Sequence, residues 1–232
     1  MLKKGMLLAS TLLLIFSCSE SVTSDTTSSF NTYGGSYNDF GHNVLLTNDG
    51  GYLLVGKTYN KTSDADNQYD TYVVKVSSSG SQEASYALND GQDPVVVAVN
   101  DALNAEISDV ESTDDGGYIL IGSKYSATTG WDILMVKITA AGILDANFST
   151  DGVLTIDVGT DMDAVAIDAN SDDRGYSVAV NDDGSYTIAG IVHASAAGGY
   201  DIYVAPIPKD GTFASGTDIG TVIEGDDNTV ND

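Results

Sequence analysis

The chain has 232 residues, 34 Asp and Glu against nine Lys and Arg, a formal charge of −25 and a single cysteine. A molecule this acidic repels nucleic acid and anionic membrane surfaces, which removes DNA and RNA binding from the functions open to it. One cysteine excludes an intrachain disulfide, so packing and sheet hydrogen bonds must hold the fold.

The acids are 29 Asp and only five Glu, beside 25 Gly and 13 Tyr. Asp favours turns because its short carboxylate bonds nearby backbone amides, whereas Glu favours helices. The composition is that of many strands joined by polar turns.

From the N-terminus, residues 1–17 have a signal-peptide layout. Lys3 and Lys4 supply the positive end, and Met6 to Phe16 form an apolar core too short to span a bilayer as a permanent helix. Ile15-Phe16-Ser17-Cys18 resembles the lipobox of bacterial lipoproteins, in which an aliphatic and two usually small residues precede a cysteine. Phe16 is bulkier than that pattern prefers. The resemblance implies lipid attachment at Cys18 and a place in the cell envelope, at the outer membrane or cell surface rather than the inner membrane. A secretory signal followed by a free thiol is the alternative. Residues 18–30, rich in Ser and Thr, read as a flexible tether.

Beyond residue 30 the sequence repeats. Asp49-Gly50-Gly51-Tyr52, Asp115-Gly116-Gly117-Tyr118 and Asp183-Gly184-Ser185-Tyr186 each run into an apolar stretch that ends in Gly56, Gly122 or Gly190. An aromatic-Asp pair then opens a second strand: Tyr69-Asp70 before TYVVKV, Trp131-Asp132 before ILMVKI, and Tyr200-Asp201 before IYVAPI. Gly80, Gly142 and Gly211 close these strands. Further β-rich runs follow at Val95 to Val99, Val153 to Val158 and Thr221 to Ile223. One more strand precedes each Asp-Gly turn, around Val44 to Leu46, Ile107 to Val110 and Tyr176 to Val180. Asp-Gly between apolar runs is a tight-hairpin signal. Recurrence at one place in every unit assigns Asp49, Asp115, Asp183, Asp70, Asp132 and Asp201 to structural turns rather than to catalysis.

The segment from Gly34 to Thr58 resembles the Asp-Gly-Gly-Tyr propeller repeats of exported Bacteroidetes proteins. Those from Ile143 to Gly159 and Asp172 to Gly190 resemble the delta-sixty repeat. Both resemblances imply a β-propeller and leave activity open. The expected fold is all-β, a propeller-like array of about three four-stranded antiparallel units at 31–94, 95–152 and 153–220, with 221–232 starting a fourth. Closed propellers typically hold four to eight blades. The count therefore predicts an open array or a fragment of a larger propeller. Closure by two chains, and pairing of Thr221 to Ile223 with residues near Phe30 to Tyr33, remain alternatives.

No catalytic residue and no metal ligand is assigned. His42 and His193 lack a second His at ligand spacing. Cofactors are expected to be none. Calcium is considered only for the acidic groups Asp64-Asp66-Asn67, Asp161-Asp163 and Asp226-Asp227-Asn228, none of which continues as an EF-hand loop. Trp131, Tyr59, Tyr69, Tyr125 and Tyr200 would make a sugar- or peptide-binding surface if they converge on one rim; otherwise they pack between blades. The predicted function is a membrane-anchored, non-catalytic binding or scaffold module for a protein or glycan ligand. The alternative is a glycan-acting hydrolase or lyase using loop carboxylates.

Overall fold

Runs of β-branched and aromatic residues alternate their side chains across each strand, and eleven strands result among the described residues. The computed structural model describes residues 31–34, 38–59, 69–83, 86, 104–158, 172–194, 199–213 and 220–223. The leader, Cys18, the tether, the run from Val95 to Val99 and the three acidic groups considered for calcium lie outside these residues.

The strands are β1 (Asp39–Leu46), β2 (Tyr52–Tyr59), β3 (Tyr69–Val76), β4 (Asn104–Ser112), β5 (Tyr118–Ser126), β6 (Gly130–Ile138), β7 (Val153–Ile156), β8 (Arg174–Val180), β9 (Tyr186–Ala194), β10 (Gly199–Ile207) and β11 (Thr221–Ile223). They form three antiparallel meanders, β1-β2-β3, β4-β5-β6-β7 and β8-β9-β10-β11. The chain is all-β, an open array of propeller-like sheets; among the described residues no sheet closes.

Strand pairing moves the repeat boundaries. β7 pairs with β6, Val153 opposite Val136 and Ile156 opposite Ile133. β11 pairs with β10, Ile223 opposite Ile202. Val153 to Ile156 therefore ends the second unit instead of opening the third. Thr221 to Ile223 is the last strand of the third sheet rather than the start of a fourth unit. β7 also stops two residues short of the predicted Val158. There the Val158 amide leaves the ladder to donate to the Asp173 carboxylate at 2.8 Å.

Each Asp-Gly hairpin has a three-residue loop. In the first, Gly50 N–H donates to Thr47 O at 2.9 Å and Thr47 N–H to Gly51 O at 2.9 Å. Gly50, Gly116 and Gly184 all sit at φ +81°, where a side chain is strained. A second set of glycines is fixed by close approach. A Cβ on Gly56 would lie 1.8 Å from Phe40 O, on Gly122 1.9 Å from Glu106 O, and on Gly190 2.1 Å from Arg174 O. Opposite these glycines the first strand of every sheet shifts register, between Gly41 and Asn43, Ile107 and Asp109, and Gly175 and Ser177. The recurrent glycine is thus the seat of a recurrent β-bulge, whose extra residue is His42, Ser108 or Tyr176.

The second sheet shows one face to the first sheet and the other to the third. Leu53, Val55 and Val73 of the first sheet pack with Leu120, Leu134 and Val136 of the second. Ile119, Ile121, Ile133 and Met135, on the other face of the second sheet, pack with Val178, Tyr186, Ile188 and Tyr203 of the third. The first strands β1, β4 and β8 are drawn together in this arrangement, with β4 touching both of the others.

A candidate ligand-binding rim

The recurrent turn aspartates do local work. Asp49 Oδ1 accepts from Thr47 Oγ1 at 2.5 Å and from Gly51 N–H at 3.2 Å, and its Oδ2 accepts from Lys75 Nζ. Asp115 repeats the pattern with Thr113, Gly117 and Lys137. Each lysine meets a second carboxylate, Glu83 at 3.2 Å from Lys75 and Asp145 at 2.5 Å from Lys137. Burial alone would raise the Asp115 pKa, but the hydrogen bonds from Lys137, Thr113 and Gly117 outweigh it and hold the carboxyl at about 2. Hydrogen bonds from Lys75, Thr47 and Gly51 depress Asp49 further. In the third unit Pro206 replaces the lysine, and Asp183 accepts mainly from the Ser185 hydroxyl and amide. The lysines went unassigned in the sequence, although VVKV and MVKI display them at one repeat position.

Asp70, Asp132 and Asp201 were expected in turns and stand instead inside strands, opposite Thr58, Lys124 and Val192. Their aromatic neighbours explain the difference. Tyr69, Trp131 and Tyr200 are cross-strand partners of Tyr59, Tyr125 and His193, so the ladder has already begun where the aromatic-Asp pair occurs. The three pairs are edge-to-face, with centroids 5.9, 5.7 and 5.3 Å apart. Asp132 is buried and accepts from Thr129 Oγ1 at 3.0 Å.

The register places Asn43, Asp109 and Ser177 at one repeat position just past the bulges. Asp109 joins all three first strands. Its Oδ1 accepts from Asn43 Nδ2 and from Val110 N–H at 2.9 Å. Its Oδ2 accepts from Ser177 Oγ at 2.9 Å and Val178 N–H at 3.1 Å. His42 Nδ1 lies 2.8 Å from Ile107 O, a further tie between β1 and β4.

One step before the bulges, the same repeat position carries Phe40, Glu106 and Arg174. Glu106 meets Lys57 at 2.7 Å on one side and Arg174 at 3.5 Å on the other. Arg174 lies over the Trp131 ring, 4.1 Å from its centroid, and Lys57 over the Tyr69 ring at 4.3 Å. Tyr69 and Trp131 stack across the first two sheets at 6.2 Å and 22°. A row therefore runs Phe40, Tyr59, Tyr69, Trp131, Tyr125, each ring within about 6 Å of the next. Three backbone ties hold it in place. Asn104 Oδ1 accepts from Tyr69 N–H at 3.0 Å, and Asp172 Oδ1 from Trp131 N–H at 3.3 Å. Asp173 N–H donates to Trp131 O at 2.6 Å, which seats Arg174 over the indole.

Four of the five aromatic residues singled out in the sequence thus share a rim, and they also pack between sheets. Tyr200 stands apart with His193. Glu106, Lys57 and Arg174 carried no sequence signal because they do not recur. Burial raises the Tyr69 phenol above its usual range, with Lys57 pulling the other way. Chemically, the rim offers aromatic edges beside a carboxylate and two cations, a set for hydrogen bonding and stacking. Glu106 is paired with two cations and Asp109 accepts four hydrogen bonds. Among the described residues no group of three or more His, Cys, Asp and Glu side chains is placed to hold a metal.

No protein-family model matches the chain, and no curated protein matches it. Among solved structures it is similar to an endo-arabinase from Bacteroides thetaiotaomicron, with 13% sequence identity and a TM-score of 0.47, over 78% of this chain and 61% of that one. The chain therefore spans about three fifths of the length of that structure.

Proposed function

We infer that the chain is a cell-envelope lipoprotein, anchored through Cys18, whose folded part is a non-catalytic binding module with its ligand surface on the aromatic rim. The observation that carries this reading is where the units differ. Residues that recur in all three units make turns, bulges and interfaces. One position that varies freely, Phe40, Glu106 and Arg174, is brought side by side onto an aromatic row. A site built from unlike residues at equivalent positions is the usual way a repeat scaffold acquires a ligand.

The chemistry favours a glycan. Half-buried ring edges complement the C–H faces of a sugar, and a carboxylate flanked by two cations offers acceptors and donors to hydroxyls. Trp131 is the only tryptophan in the chain, so its fluorescence reports on this rim. Titration with neutral oligosaccharides should give a saturable change, weakened about tenfold or more by Arg174→Ala. Saturation by peptides but not by oligosaccharides would replace the glycan, and silence with both would refute the rim as a ligand site. Cleavage of a bound oligosaccharide would restore the hydrolase alternative.

A further inference from the structure

The two interfaces between the described sheets are built from equivalent residues, and among the described residues the outer faces of the first and third sheets carry exposed counterparts of the two halves. Val44 on β1 is 56% exposed, while its equivalents Val110 and Val178 are buried to 2% and 3% by the preceding sheet. Tyr52 is 41% exposed against 6% and 1% for Tyr118 and Tyr186. At the other end, Ile202 and Ile223 are 55% and 53% exposed, whereas Ile133 and Ile156 in the second sheet are at 0% and 1% beneath the third. The exposed halves also match in place. Inside the chain, the third strand of one sheet packs on the first strand of the next, β3 on β4 and β6 on β8. The corresponding contact for the ends is β10, with Ile202, on β1, with Val44. On the same face Tyr33 and Leu54 pack with Tyr72, Val74 and Val76, so the face is covered at β3 while Val44 on β1 stays exposed.

We propose that a second copy of this chain docks head to tail at both ends, β10 of each copy on β1 of the other, to close a ring of six sheets. Each contact joins unlike patches, β10 to β1, and closure at two copies relates the two contacts by a two-fold axis; a rotation that fails to close would give filaments instead. Six sheets lie within the four to eight of closed propellers. The −25 charge on each copy opposes docking, so association tightens as salt rises.

Sedimentation equilibrium on the chain carrying Cys18→Ala, which removes any lipid contribution, tests the proposal. A dimer is expected that strengthens with salt. Val44→Asp and Ile202→Asp, both at exposed positions, should each weaken it about a hundredfold or more by placing an unpaired charge in an apolar contact. Mixing the two variants should restore a dimer, weaker than the parent, because each supplies the face the other lacks. That restoration also shows that both variants are folded. A monomer at every concentration, growth into filaments, or a mixture that stays monomeric would each overturn the proposal.

Discussion

Replacing Asp115 with Ala tests the structural role of the recurrent turn carboxylates. The change removes acceptors for the Thr113 hydroxyl, the Gly117 amide and the Lys137 ammonium. Lost turn and cap acceptors cost about 0.5–2 kcal/mol. Lys137 is buried but keeps Asp145 at 2.5 Å, so no charge is orphaned and the larger penalty for an unpaired buried ion does not apply. The fall in the Asp115 pKa from 3.8 to about 2 corresponds to roughly 2.5 kcal/mol of linkage. Its side chain is 48% exposed, and solvent screening roughly halves that figure. The two routes meet near ~1–1.5 kcal/mol. Because the folded-state pKa is depressed, this stability is present above the unfolded value near 3.8 and is lost as pH falls through about 2. Urea unfolding should therefore show the variant weaker by ~1–1.5 kcal/mol near neutral pH, with the gap closing in strong acid. A variant as stable as the parent at neutral pH, or a deficit that ignores pH, would refute the argument. Asp183→Ala, at a turn where Pro206 replaces the lysine, is the internal control and should cost less.

Gly122→Ala would set a Cβ 1.9 Å from Glu106 O, against backbone that cannot rotate away. It should cost about 3 kcal/mol or more and lower the Tm by roughly 6 °C or more. A melting curve like that of the parent would show that the bulge does not fix this glycine. Cys18→Ala should abolish acylation and release the protein into the soluble fraction; retention of the variant on membranes would remove the anchor from the proposed function.

What the sequence made legible was local. Asp-Gly pairs at a fixed period encode hairpins because a left-handed turn residue and a short acceptor are required within three positions of each other. Gly50, Gly116 and Gly184 accordingly take φ +81°. The phase of the repeat was not legible, because Val153 to Ile156 and Thr221 to Ile223 look alike whether they end one sheet or begin the next. Only pairing with Ile133 to Val136 and Ile202 to Val204 decides. The bulges were hidden for a related reason. Gly41-His42, Ile107-Ser108 and Gly175-Tyr176 share a glycine in only two of three units, and the constraint that recurs in all three is recorded across the sheet at Gly56, Gly122 and Gly190.

The candidate rim was half visible for the same physical cause. Tyr69, Trp131 and Tyr200 recur because a cross-strand aromatic pair stabilises the end of each sheet by up to about 1 kcal/mol, and that need is the same in every unit. Glu106 and Arg174 do not recur because they face each other across different sheets, and a repeat of either would set like charges together. Selection for folding makes equivalent positions alike, whereas a binding surface spanning several units needs them unlike. Sequence similarity between units is therefore the wrong place to look for the site. The informative signal is a position where register is conserved and side chains diverge, and Phe40, Glu106 and Arg174 occupy such a position.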